Sequence, residues 1–200
     1  MKEQPDLILA SSSKYRKELL SRLGIPFTTN APCIDETPLQ GESTDALIER
    51  LSNQKAAVIA EQFPSAWVIG SDQVADLNGV AIGKPGTHEN ALAQLKMMQG
   101  KTVIFKTGLC LMQHASNRSI YICIPTRVRF HELEDAVLEN YLHIEKPYDC
   151  AGSAKSEGMG IILLSKIKSN DPTALIGLPL IALTGLLRTV GFMIPGPACN

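Results

Sequence analysis

In the stretch Val68-Ile69-Gly70-Ser71-Asp72-Gln73-Val74-Ala75, an acid and an amide interrupt an apolar run. Such a pair marks either a plain turn or bulge between two strands, or a carboxylate presented at a strand end where it can accept a proton. Other charges also stand in unexpected places. After Ser43, Leu47, Ile48, Leu51, Val58 and Ile59 form one stripe at helical spacing, and Lys55 falls in the middle of it. Its ammonium either reaches past apolar neighbours to water or meets a partner inside, because buried lysines are rare without one. Arg16 shares the apolar face of an earlier helix with Leu19, Leu20 and Leu23. A cation in a first turn opposes the helix dipole unless an anion binds there. Ser11, Ser12 and Ser13 precede it, and hydroxyls beside the free N–H groups of a helix N-terminus can hold phosphate, although serines are also ordinary caps. Lys84 is held between Gly83 and Pro85, in an ordinary turn or as a fixed cation. Asp35-Glu36 are paired loop acids, either solvated or ligands for a hard divalent cation.

The elements that must position these residues follow from the pattern. Asp6–Ala10 reads as a short strand, Lys14–Leu23 as a helix with Ser13 as N-cap and Gly24 as its C′ residue. Phe27–Ala31 suits a second strand, and Ser43–Gln62 a long helix. Ala66–Gly70 and Val74–Leu77 read as two strands with Asp72 in the turn between them, and Asn78-Gly79 is a hairpin signal. Thr87 opens a helix to Gln99. Thr102–Gln113 and Ser119–Phe130 are long β segments, and Leu133–His143 is helical. Asp171-Pro172 suits cap and first position of a last helical region. Strands and helices mix without strict alternation, as in an α/β or α+β sheet covered by helices.

The 200 residues suffice for one domain with a sizeable core or for two small lobes. Nineteen basic residues nearly balance twenty acidic ones, which argues against a non-specific polyanion binder. The five cysteines, Cys33, Cys110, Cys123, Cys150 and Cys199, form no CxxC pair. Neither a disulfide framework nor a zinc site is expected of them, and a reducing cytoplasm is. The start, MKEQPDLILASSS, holds too short an apolar run for a signal peptide. The uncharged segment Thr173–Leu187 is shorter than a bilayer span and contains Pro179, so it reads as buried core. His88, His114, His131 and His143 receive no catalytic role.

The ordered set LASSSKYRKELL at 9–20, DETP at 35–38, Lys55, GSDQV at 70–74, IGKP at 82–85, VIFKTGLCL at 103–111, YDCAGSAKSEG at 148–158 and DPTALIGLPL at 171–180 resembles the Maf family of nucleotide pyrophosphatases. Each motif alone is weak; together they span nearly the whole chain. The resemblance implies one Maf-like domain over residues 1–200. Its α/β fold would be Maf/ITPase-like, a mixed twisted sheet with flanking helices and two lobes around a cleft. It also implies a cytoplasmic homodimer, with no stable nucleic-acid or membrane partner, that cleaves a nucleoside triphosphate between its α and β phosphates. A divalent cation, Mg²⁺ or Mn²⁺, would be its cofactor. On this match Asp72 is the proton acceptor; Arg16, Lys55 and Lys84 are catalytic cations; Ser11 and Ser13 bind phosphate; Glu36 and Asp72 lie at the metal. The chemistry is consistent: cleaving an anhydride loads charge onto the leaving diphosphate, which cations stabilise. Lys14 and Lys17 stand where many members carry proline and arginine, while Arg16 remains.

Tyr15, Gln73 and Glu157 occupy the positions that divide the family by substrate. Members acting on dTTP and UTP typically carry arginine, threonine and glutamine there. This chain is similar instead to the subfamily hydrolysing 7-methyl-GTP, whose aromatic is usually tryptophan. N7-methylation makes guanine cationic, and a tyrosine ring can stack on it. An ionised Glu157 accepts hydrogen bonds only, which suits guanine N1–H and N2–H₂. Uracil and thymine offer one N–H on that edge, between repelling carbonyls. The alternatives are a pyrimidine-triphosphate pyrophosphatase of the same family and a nucleotide-binding regulator of cell division.

Overall fold

The computed structural model describes residues 5–196. Cys199 and the first four residues of the start segment therefore lie outside the described residues. The strands are Leu7–Ala10 (β1), Thr28–Asn30 (β2), Trp67–Leu77 (β3), Val80–Ile82 (β4), Thr102–Gln113 (β5), Arg118–Phe130 (β6) and Leu164–Lys168 (β7). The helices are Lys14–Ser21 (α1), Thr44–Gln62 (α2), His88–Met98 (α3), Asp135–Glu145 (α4) and Leu180–Thr189 (α5). The strands join in the order β2-β1-β3-β5-β6-β7, with β4 paired to β3. β1 runs parallel to β2 and β3, whereas β3–β4 and β6–β7 are antiparallel, so the sheet is mixed, as expected of an α/β fold. Among the described residues no helix is long and apolar enough to cross a membrane. The described cysteines Cys33, Cys110, Cys123 and Cys150 form no disulfide with one another.

One expectation is overturned. The two strands read on either side of Asp72 are a single strand, β3, and Asp72 sits in its middle rather than in a turn. Serine and aspartate favour turns locally, but a strand tolerates them when its neighbours supply partners. The expected Asn78-Gly79 hairpin does form, with both residues at positive φ and Leu77 opposite Val80. The caps Ser13, Ser43 and Thr87 each accept a backbone N–H in the first turn of their helices.

The chain forms two compact units. The first holds the described residues up to Asp72, Thr107–Ile124 and those from Asp171; the second holds Gln73–Lys106 and Pro125–Asn170. In the first unit, strand alternation sorts side chains onto two faces. Leu7, Leu9, Trp67, Ile69, Leu109 and Leu111 pack with Leu19 and Leu20 of α1 and Leu183 and Leu187 of α5. Ile8, Ala10, Val68 and Cys110 pack with Ala56, Ile59 and Ala60 of α2.

On the α2 face Gly70 and Gly108 let the helix come close. A Cβ at Gly70 would lie 2.2 Å from the Ser52 carbonyl oxygen and 2.7 Å from Ala56 N, and one at Gly108 2.4 Å from Ser52 Oγ. Ser52 Oγ is buried with no hydrogen-bond partner in the described structure, a cost accepted for the close fit. The α2 helix also anchors the loop before it. Arg50 donates from Nε to Glu42 Oε1 at 2.6 Å, from Nη2 to Glu42 Oε2 at 2.7 Å and from Nη2 to the Thr37 carbonyl at 3.1 Å.

The greasy segment Thr173–Leu187 is core, as its composition implies: Ala174, Leu178, Leu183 and Leu187 are fully buried. Asp171 caps the turn that follows it, as expected, and also a helix that begins nine residues later. Its Oδ2 accepts from Ala182 N at 3.1 Å in the first turn of α5, while its Oδ1 accepts from Thr173 N and Oγ1. Thr173 Oγ1 in turn accepts from Leu180 N at 2.8 Å.

Two outcomes follow. Gly70→Ala should destabilise the protein by about 1–3 kcal/mol or more, as overpacking does, read from the urea midpoint. Hydrogen bonds from Arg50 hold the Glu42 carboxyl at about 2, below its unfolded value, so this contribution is complete above that unfolded value and is lost as the pH falls towards about 2. Glu42→Gln should therefore be less stable than the parent at pH 7, with the gap closing in acid unfolding curves.

Candidate active site

Strand β3 and helices α1 and α2 bring four of the expected residues together in the first unit. Gly70 and Asp72 lie on the same face of β3, one strand period apart, so the close approach at Gly70 carries Lys55 to Asp72. Lys55 is buried, and its ammonium does not reach water past its apolar neighbours. Its Nζ lies 2.7 Å from Asp72 Oδ1 and 2.7 Å from Glu36 Oε1. Arg16 Nη2 stands 3.9 Å from the same Asp72 oxygen. The four side chains form a neutral cluster of two cations and two carboxylates. Burial pulls the Arg16 guanidinium below its ordinary value, and Asp72 and Glu36 push it back up; arginine stays protonated throughout.

The other face of β3 fixes Arg16. Ser71 is fully buried, and its hydroxyl donates to the Gly177 carbonyl at 3.2 Å. Arg16 Nε donates to that same carbonyl at 2.9 Å. Ser11 Oγ accepts from Ser13 N at 3.1 Å and from Arg16 Nη1 at 3.4 Å. Its own proton makes no hydrogen bond among the described residues. Ser13 Oγ caps α1 by accepting from Arg16 N at 3.4 Å. Tyr15 is half-buried in the first turn, with Lys14 Nζ 4.9 Å from its ring centroid.

The donor set suits a hard divalent cation. Asp72 and Glu36 converge on one point that a positive charge already occupies. Asp72 Oδ2 and Glu36 Oε2 make no hydrogen bond among the described residues, which leaves carboxylate oxygens of the type that bind Mg²⁺ or Mn²⁺.

The remaining expected residues, Gln73, Lys84 and Glu157, belong to the second unit. Gln73 is half-buried on β3, directly after Asp72. Lys84 is exposed in a loop fixed at both ends: Gly83 O accepts from Gly152 N at 3.2 Å, and Gly86 N donates to Tyr148 O at 3.1 Å. Glu157 is exposed, and its carboxylate has no hydrogen-bond or ion-pair partner among the described residues. Its loop is firmly built. Tyr141 Oη donates to Ser153 O at 3.0 Å and accepts from Lys155 N at 3.1 Å, and Ser153 Oγ donates to Gln94 at 2.7 Å. Lys155 pairs with Glu145, which also accepts from Met159 N at 2.8 Å. The Lys155 ammonium holds the Glu145 carboxyl below the usual carboxylate range. In the same unit Lys106 pairs with Asp76 at 3.1 Å.

Sequence reasoning missed several supporting residues. Gly177 acts through a backbone carbonyl, which no side-chain pattern signals. Arg50 and Glu42, eight residues apart, carry no sequence signal of their pairing, and Lys106 lies within a quoted motif without standing out of it.

Comparison with known proteins identifies the family. The profile of Maf-like proteins matches residues 6–190. The chain is 57% identical over 189 residues to a 7-methyl-GTP pyrophosphatase of Cupriavidus metallidurans, covering 94% of this chain and 95% of that one. It is 55% identical over 195 residues to the 7-methyl-GTP pyrophosphatase of Paraburkholderia xenovorans, covering 96% and 95%. A third, from Burkholderia thailandensis, is 56% identical over 191 residues, covering 94% and 89%. With a family profile spanning its sheet and its charge cluster alike, this chain belongs to the Maf family.

Proposed function

We propose that the protein is a nucleoside triphosphate pyrophosphatase that hydrolyses 7-methyl-GTP to 7-methyl-GMP and diphosphate, keeping the modified nucleotide out of nucleic acids. The observation that carries this reading is the buried Lys55 ammonium held between Asp72 and Glu36 beside Arg16. A structural core seldom assembles such a cluster; a site for an anionic substrate needs one. The names of relatives more than half identical in sequence support the same substrate.

Asp72 is the general base. One of its oxygens accepts from Lys55, and the carboxylate takes the proton of the attacking water. Arg16, Lys55 and Lys84 neutralise charge that builds on the phosphates as the anhydride breaks. The Ser11 hydroxyl, with its uncommitted proton, donates to a phosphate oxygen, and Ser13 opens the helix end beside it. Asp72 and Glu36 would hold a Mg²⁺ or Mn²⁺ ion, which supplies Lewis-acid stabilisation of the phosphates when bound. Tyr15 stacks on the base; its ring face already receives the Lys14 ammonium, an exposed group that can yield to a cationic purine. Glu157 accepts from guanine N1–H and N2–H₂, and Gln73 contacts the base from the residue next to Asp72. In this reading both compact units serve one catalytic domain over residues 1–200, acting as a cytoplasmic homodimer.

With Mg²⁺ or Mn²⁺, a nucleotide panel should show faster diphosphate release from 7-methyl-GTP than from GTP, dTTP or UTP. Release from none of them overturns the reading, and faster dTTP or UTP turnover moves the protein to the pyrimidine branch. Asp72→Asn should lower kcat by about 10²–10⁴-fold, the range for loss of a general base, while calorimetry still detects nucleotide binding. Glu157→Gln should narrow the preference for 7-methyl-GTP over UTP by about tenfold or more, because a carboxylate that rejects carbonyls becomes an amide that tolerates them.

A further inference from the structure

The proposed reaction leaves one cluster of titratable groups in the second unit unused. His88, at the first position of α3, faces Glu139 and His143, which lie one turn apart on α4. Their ligand atoms all fall within 4.8 Å of one another. His88 Nε2 is 2.7 Å from Glu139 Oε2, and His143 Nε2 is 3.9 Å from the same oxygen. The two imidazoles stack with centroids 4.8 Å apart. The far nitrogen of His88, Nδ1, is hydrogen-bonded to the Tyr148 hydroxyl at 3.0 Å. That is how a ligating imidazole is oriented: one nitrogen is held by a neighbour, so the other is aimed at the ion.

We propose that His88 Nε2, Glu139 Oε2 and His143 Nε2 bind a divalent transition-metal ion of the zinc class. Two imidazole nitrogens and one carboxylate oxygen suit Zn²⁺ rather than Mg²⁺, and three protein ligands leave a fourth position for water. Tetrahedral coordination needs ligand atoms about 3.3 Å apart. The Glu139–His88 contact must open slightly and His143 must close in, which its 69% exposed side chain permits. Such an ion clamps α3 to α4. Tyr148 extends the clamp, because its hydroxyl holds His88 while its carbonyl accepts Gly86 N at 3.1 Å. The Lys84 loop is thereby tied to the occupancy of this site. The site is separate in sequence and in ligand type from the carboxylate pair Glu36–Asp72.

The test uses the full chain. In excess Mg²⁺, Zn²⁺ should bind at one equivalent in competition with a chromophoric chelator. Co²⁺ in its place should give the visible absorption of a four-coordinate nitrogen and oxygen site. His143→Ala, a change at an exposed side chain, and Glu139→Gln should each weaken Zn²⁺ binding at least tenfold. Zn²⁺ should raise the melting temperature of the parent but not of His143→Ala. Asp72→Asn should bind Zn²⁺ as the parent does, whatever its activity. Absence of stoichiometric Zn²⁺ binding, displacement by Mg²⁺, equal affinity in His143→Ala or thiolate charge-transfer bands with Co²⁺ would each overturn the proposal.

Discussion

A lysine ammonium buried between two carboxylates is costly to assemble, and much of the first unit is arranged around that cost. Removing an ion from water carries a penalty of several kcal/mol after relaxation. Lys55 recovers it only because Asp72 and Glu36 both reach it at 2.7 Å. That geometry requires α2 to lie almost against the sheet, which Gly70 and Gly108 permit by having no side chain to intrude. It also requires the loop before α2 to deliver Glu36, which the paired hydrogen bonds of Arg50 to Glu42 secure. A bidentate guanidinium–carboxylate pair is among the stronger surface contacts available for this purpose.

Strand β3 divides two jobs between its two faces. Even-numbered positions turn Gly70 and Asp72 towards α2, and Ser71 turns the other way to the Gly177 carbonyl. Arg16 reaches from that second side yet still stands 3.9 Å from Asp72. The acid is thus held by cations delivered from separate helices, packed on opposite faces. Such a group keeps its position while charge shifts nearby, which is what preorganised electrostatics demands.

Much of this was legible in the sequence where the physics is local. Ser13, Ser43 and Thr87 cap as their types imply, and Asn78-Gly79 turns the chain as expected. The place of Lys55 on an apolar stripe left open an ammonium reaching water or a partner inside, and the structure gives it Asp72 and Glu36. The continuity of β3 was hidden, because Ser71, Asp72 and Gln73 look like a turn until Lys55, seventeen residues earlier, is brought beside them. Asp171 was legible as a cap but not as the cap of α5, since its side chain crosses eleven residues to reach Ala182 N. Gly70 gave no signal of its tight fit, because close packing between a helix and a strand is a tertiary fact. The pairing of Arg50 with Glu42 was hidden for the same reason.

The hydrogen bond from Arg16 Nε to Gly177 has a directional consequence. A guanidinium offers two edges that can each grip a phosphate with parallel donors. In Arg16 the Nε atom is already spent on a backbone carbonyl. The terminal nitrogens face Ser11 Oγ at 3.4 Å and Asp72 Oδ1 at 3.9 Å, so a ligand has only their remaining N–H groups to use, in a plane set by the Gly177 carbonyl. In the proposed reaction an incoming phosphate would have to present its oxygens along one line of approach, so that Arg16 would work as a sighting device as well as a counter-charge. The DPTALIGLPL segment contributes no charged group to that contact, but by holding one carbonyl in place it sets the direction in which the Arg16 guanidinium faces.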